Sequence, residues 1–170
     1  MSKRPNFKEF PEEGETLGEI RALDFQRYAA AVGDLNPIYF DDEAARAAGY
    51  DGIIAPPNFL TSIIEWGLGP LEEEMREDGN PRDGIAKKLI GLTPEQLQGL
   101  RMMGGGNEIE FGRPVRPGDI VIYRRRLVEV YERPSKMGVL LFAVHENLFT
   151  DQHGEMLAVC RETNIGAKPQ

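Results

Sequence analysis

The segment Gly33-Asp34-Leu35-Asn36-Pro37-Ile38-Tyr39 sets a carboxylate and a phenol five residues apart around an Asn-Pro turn. Such a carboxylate could contact or deprotonate a water, and the phenol could donate a hydrogen bond to a ligand oxygen. The same residues are also good turn chemistry without any reaction, and an aromatic after Asn-Pro-Ile can simply belong to a core. With an unperturbed pKa near 10, a phenol does not easily share a proton with Asp34 around neutrality. The chain has only two histidines. His145 lies in an apolar run and reads as a structural residue, whereas His153, in Asp151-Gln152-His153-Gly154, reads as a solvated turn residue.

Other constellations carry less. Met102-Met103-Gly104-Gly105-Gly106 lacks a phosphate-loop pattern and precedes a strand, so it reads as a flexible stretch whose backbone can approach a ligand closely. In a strand, Arg124 and Arg126 face one side and Arg125 the other, which suggests a solvated sheet face. One of those faces, or Arg113 and Arg116, is a candidate for anion contact. Met75, Met102 and Met103 read as core filling, and Leu71-Glu72-Glu73-Glu74-Met75 as a solvated helix face.

The 170 residues suit one domain, expected over 1–170, and 41% hydrophobic with 28% charged content is ordinary for a globular protein. A net charge of −8, from 20 Lys and Arg against 28 Asp and Glu, argues against nucleic acid or an anionic membrane as partner. Cys160 alone can form no intrachain disulfide and no zinc cluster, so no metal is expected. No apolar run approaches the roughly 20 residues of a membrane helix. Asn6 to Gly14 is polar and acidic where a signal peptide is apolar, and a cytoplasmic location is expected.

The elements that must position these residues follow from periodicity. Residues 1–15 read as an arm, and Thr16 to Arg21 as a first strand. Asp24 suits an N-cap before Phe25, Tyr28, Ala29 and Val32, one apolar helical face that Gly33 ends. Asp41-Asp42-Glu43 leads a short helix over Ala44 to Ala48. Phe59, Leu60, Ile63, Ile64 and Trp66 describe a helix apolar on most sides, which must be buried. Residues 67–101 form a polar excursion or lid, with a helix beginning at Thr93-Pro94-Glu95. Ile109 to Phe111, Ile120 to Tyr131, Gly138 to Thr150 and Glu155 to Asn164 are strands parted by turns at Arg116-Pro117-Gly118-Asp119, Arg133-Pro134-Ser135 and Asp151 to Gly154. This order predicts an α+β fold, an antiparallel sheet wrapped around one helix.

The stretch Tyr28 to Tyr39 resembles the Gly-Asp-x-Asn-Pro-x-His signature of the MaoC-like (R)-specific enoyl-CoA hydratases, with six of the seven signature positions matching. Phe111-Gly112-Arg113-Pro114-Val115-Arg116-Pro117-Gly118-Asp119 and the Asp-Gln-His-Gly turn are similar to that family too, over roughly Thr16 to Ile165. The likeness is strongest to the subgroup with an N-terminal MaoC-type (FAS1-like) dehydratase domain. It implies a hot-dog fold and reversible syn hydration of an enoyl thioester, with no cofactor. It also implies an acyl tunnel between two subunits, an Asp and a His that hold the water, an orienting Asn, and a backbone N–H at the start of the central helix as oxyanion donor.

Carried over by position, Asp34 and Asn36 match, while Tyr39 stands at the histidine position. Pro57, beside Asn58, stands at the helix-start glycine and has no N–H to donate. Gly105 falls where relatives line the tunnel. The resemblance therefore implies the substrate-binding, catalytically degenerate half of a hydratase or dehydratase. Such a chain would take an acyl-CoA or acyl carrier protein thioester and pair with a catalytic MaoC-like chain. A self-sufficient homodimer using Asp34 with Tyr39 or His145, and a non-catalytic acyl-CoA binding protein, are the alternatives.

Overall fold

A computed structural model describes residues 7–64, 101–136 and 138–167. The chain enters through a single 3-10 turn at Phe7–Glu9, then β1 (Glu15–Glu19), α1 (Ala22–Val32), a second 3-10 turn (Pro37–Tyr39), α2 (Asp42–Ala47) and α3 (Phe59–Ser62). Four long strands follow: β2 (Arg101–Phe111), β3 (Ile120–Ser135), β4 (Gly138–Thr150) and β5 (Met156–Ala167). They form one antiparallel sheet in the order β1-β3-β4-β5-β2.

The core lies on one face of this sheet. Phe59, Leu60 and Ile63 at α3, Phe25 and Ala29 of α1, and Tyr39, Ile54 and Ala55 between the helices meet Val121, Tyr123, Phe149, Leu157, Ala158 and Cys160 of the strands. Edge-on contacts of the Phe59 ring with Phe25 and Tyr28, at 6.1 and 5.7 Å, lock α3 to α1. The α+β layout with a buried helix on an antiparallel sheet is as expected from the apolar periodicity. Trp66 and nearly all of the 67–101 excursion lie outside the described residues; Arg101 begins β2.

Four local expectations are corrected. Arg21, not Asp24, occupies the N-cap of α1; Asp24 sits in the first turn, where its two oxygens take the Arg21 guanidinium at 2.9 Å each. Arg133-Pro134-Ser135 is not a turn, because β3 continues to Ser135 and pairs Pro134 with Val139. That proline is tolerated because, among the described residues, β1 pairs with β3 only over Ile120–Tyr123, which leaves the rest of β3 an edge. Within the arm, Phe10 packs on the outer face of the sheet, buried with Leu148 and Val159 and 5.1 Å beneath the Arg126 guanidinium. Glu9 and Glu146 pair with Arg126, so this face is covered rather than solvated. Arg125, pointing the other way, is buried at 6% exposure.

Candidate functional site

The loop after α1 is built by local rules. Gly33 takes a left-handed conformation (φ 76°) and sends its N–H back to Ala29 and Ala30, while the Asp34 N–H reaches the Ala29 carbonyl at 3.0 Å. Asn36 then caps the Pro37–Tyr39 turn, its side-chain oxygen accepting from the Ile38 N–H at 3.2 Å. These two devices bring the fifth residue after Asp34 back to it, and the Tyr39 hydroxyl donates to Asp34 Oδ2 at 3.1 Å. The Asn36 backbone N–H donates to Asp34 Oδ1 at 3.4 Å.

The pair is lopsided. Asp34 is exposed, whereas Tyr39 is 5% exposed and belongs to the core. Burial first, and then the bond to the Asp34 carboxylate, push the Tyr39 phenol above its ordinary value. It is therefore a donor at neutral pH and does not accept the proton of an attacking water. Asp34 keeps an exposed carboxylate able to orient a water or a polar ligand atom. The Asn36 side chain braces the backbone, and it is its main-chain N–H that meets Asp34.

Pro57 and Asn58 stand exposed at the start of α3, next to the Phe59 ring that packs on Tyr28. Among the described residues, no hydrogen bond joins either of them to Asp34 or Tyr39. Asn58 occupies the N-cap of α3 without a side-chain cap bond, and its carbonyl accepts from the Thr61 hydroxyl at 2.8 Å. Gly105 is not a loop residue. It lies inside β2 where the register against β5 slips between Gly104 and Gly106, and a Cβ there would come within 3.0 Å of Thr163 and Ile165. Its lack of a side chain serves strand approach across a bulge.

Gln26 adds a contact that no sequence motif marks. From α1 its amide donates to the Tyr39 carbonyl at 3.1 Å and anchors the far end of the loop. Its spacing from Tyr39 carries no motif, so only the helix position marks it. His145 is fully buried on β4, and His153 is exposed in its turn.

The arginines singled out as anion candidates are occupied. Arg113 gives two bonds of 2.8 Å to Asp119, one of 2.7 Å to Asp151 and one of 3.0 Å to Glu155. Arg116 pairs with Asp51 at 2.7 Å. Three carboxylates surround Arg113, so it ties the turn before β3 to the turn before β5 rather than presenting a cation to a ligand.

The fold defines the class first. A comparable antiparallel sheet with its helix occurs in the hot-dog MaoC-like dehydratase from Rhodospirillum rubrum (19% identity, TM-score 0.55, covering 94% of each chain). A chain of the ChsH1-ChsH2 complex from Mycobacterium tuberculosis superposes with a TM-score of 0.72 at 26% identity, covering 91% of this chain and 82% of that one. The profile of the FAS1-like dehydratase domain region matches residues 12–160, and the chain belongs to this family of MaoC-like domains.

A relative in Thermomonospora curvata named "Probable enoyl-CoA hydratase alpha subunit" is 27% identical over 92% of this chain and 50% of its own length. A UPF0336 protein of Parafrankia sp. is 30% identical over 85% of this chain and 82% of its own. The 3-oxo-4,17-pregnadiene-20-carboxyl-CoA hydratase alpha subunit of Mycobacterium tuberculosis is 32% identical over 74% of this chain and 36% of its own. The chain thus spans half the length of the Thermomonospora relative and about a third of the mycobacterial hydratase subunit.

Proposed function

We propose that this chain is the substrate-binding half of a heteromeric acyl-thioester hydratase or dehydratase, with the second half supplying the proton transfers. The observation that carries this reading is the Tyr39 to Asp34 hydrogen bond, made by a buried, protonated phenol where the family resemblance has a histidine. Pro57 adds to it, since a proline at the start of α3 offers no N–H to a developing oxyanion. Relatives named as alpha subunits, and a similar structure solved as a two-protein complex, support a heteromer. On this reading the ligand is a CoA or acyl carrier protein thioester, the assembly a pair of hot-dog subunits, and the setting cytoplasmic. The whole of 1–170 acts as one domain.

The test is enoyl thioester hydration by the purified chain alone, set beside calorimetric binding of the same ligands. The expected result is binding of crotonyl-CoA and longer enoyl-CoAs without turnover, with hydration appearing when a chain carrying the complete Asp and His pair is added. Hydration by the isolated chain that is lost in Asp34→Asn would overturn the reading in favour of a self-sufficient homodimer. Binding with no turnover in any such pairing would favour a non-catalytic acyl-CoA binding protein.

A further inference from the structure

The outer face of the sheet is covered at one end and open at the other. At the covered end Phe10 packs on Leu148 and Val159, so even positions of β4 and odd positions of β5 look outward. A bulge between Leu127 and Glu129 puts one extra residue into β3, so Arg126 looks outward before it and Glu129, Tyr131 and Arg133 after it. Three rows of directly opposed residues then cross the open end. The middle row is Tyr131, Phe142, Ile165 and Met103, aromatic or aliphatic across four strands. On one side of it lie Arg133, Leu140 and Ala167, and on the other Glu129, Val144 and Thr163.

The middle row belongs to neither apolar cluster of the fold, and its members stay partly open to solvent, Met103 at 41%. The Tyr131 and Phe142 rings stack 4.8 Å apart, and the Arg133 guanidinium lies over both, 5.1 and 5.8 Å from their centres. Glu129 and Arg133 are exposed, and among the described residues neither forms an ion pair. Their placement selects the occupant of this face, because they stand on the same strand and flank Tyr131 symmetrically. A half-turn about the middle row exchanges the two outer rows. A second copy brought face to face about that axis sets its middle row on this one and its Glu129 against Arg133. Its Leu140 then meets Val144, and its Ala167 meets Thr163. Opposite charges face each other twice, with apolar side chains between them.

We propose that this open end of the outer face is a self-complementary interface, through which two copies of the chain pack sheet against sheet about a two-fold axis along the row from Tyr131 to Met103. Aligned sheets about 10 Å apart bring such rows into contact. Four strands by three rows give a footprint of roughly 15 by 14 Å, small beside a standard interface, so the association is weak and depends on concentration. The contact lies on the opposite side of the sheet from the core that holds Tyr39, and it stands independently of the acyl-thioester reading.

The experiment is sedimentation velocity of the full chain from about 1 µM to about 1 mM, the span of weak association. A doubling of mass is expected as concentration rises, whatever the state at the dilute end. Glu129→Arg and Arg133→Glu, each at an exposed position, set like charges against each other across the axis and should raise the midpoint of that doubling by about tenfold or more. Mixed in equal amounts, the two variants should double again near the original midpoint, because each altered charge then faces an opposite one. Met103→Glu sets a carboxylate against its own copy on the axis, and mixing with either charge variant should not rescue it. A doubling that none of the three variants shifts, or no doubling over the whole range, overturns the proposal. So do two charge variants that fail to rescue each other. Association that appears only when another hot-dog chain is added gives the face to that chain and overturns the second copy as its occupant. None of these outcomes bears on whether the chain binds an acyl thioester.

Discussion

The loop bearing Asp34 and Tyr39 and the turn bearing Arg113 both lie in stretches that resemble the hydratase family, yet they spend their polar groups differently. Arg113 donates four hydrogen bonds to three carboxylates, of which Asp119 and Asp151 are buried. Around Asp34, one side-chain donor meets an exposed carboxylate. The first arrangement is closed to ligands and joins segments distant along the chain. The second is open, held by short-range turn bonds, and leaves its carboxylate exposed. Similarity of sequence thus covers two physical arrangements, a closed brace between distant segments and an open turn with an exposed carboxylate, which burial separates.

The sharpest way to break this contrast is Arg113→Ala. It leaves Asp119 and Asp151 buried without their cation, and a loss of about 3–5 kcal/mol in urea unfolding is expected. A loss below about 1 kcal/mol would make the brace no more structural than the loop.

Next is a gain of function at the open loop. Tyr39→His with Pro57→Gly restores the imidazole and the N–H that the family pattern places there. Hydration of crotonyl-CoA by the chain alone should then rise by about a hundredfold over the unaltered chain, the lower range for one positioned acid–base group. Unchanged rates would show that residues beyond these two silence the site.

Acid sensitivity should belong to the brace. Burial opposes ionisation of Asp151, but the Arg113 bond and the Glu155 and His153 N–H groups outweigh it and hold its carboxyl below the usual range. A carboxyl lowered on folding contributes stability that is full above its unfolded value, about 3.9, and is lost as pH falls through the lower folded value. Asp151→Asn should therefore cost about 2 kcal/mol at neutral pH, on the scale of hydrogen bonds to a charged group. Its stability should also fall less steeply at low pH than that of the unaltered chain. Parallel acid profiles would count against the assignment.

The smallest effect is expected from Tyr39→Phe, which removes the bond to Asp34 while keeping the ring in the core. The loss should be about 1 kcal/mol, with ligand affinity altered more visibly than stability. A loss as large as that of Arg113→Ala would erase the distinction between the two regions.

Much of the architecture was legible where side chains alternate. β3 alternates buried and less buried residues over its first half, β4 and β5 carry continuous apolar runs such as Leu157 to Cys160, and α1 shows a helical stripe. β2 was visible only at its Ile109–Phe111 end, because Gly104-Gly105-Gly106 has no side chains with which to show a period; β5 supplies its register instead. Phe10 gave no sign of its place in an acidic, proline-bearing arm, since its partners Leu148 and Val159 are far away in sequence. At the candidate site, the spacing of Asp34 and Tyr39 was readable and their hydrogen bond follows from it. The exposure of Pro57 and Asn58 and the anchoring role of Gln26 were not.

By itself the sequence determined what acts over one turn of chain: the left-handed Gly33, the Asn36 cap on the Pro37 turn, and the Asp41 cap of α2, whose oxygen takes the Glu43 and Ala44 N–H groups. These depend on backbone angles and on donors two or three residues away, so residue type and order suffice. Only the tertiary structure decided which arginines face inward and what they meet, as with Arg113 and Asp151, 38 residues apart, and Arg125 and Glu162, 37 apart. Such pairs depend on strand register and burial, and these are set by how the whole sheet closes on its core.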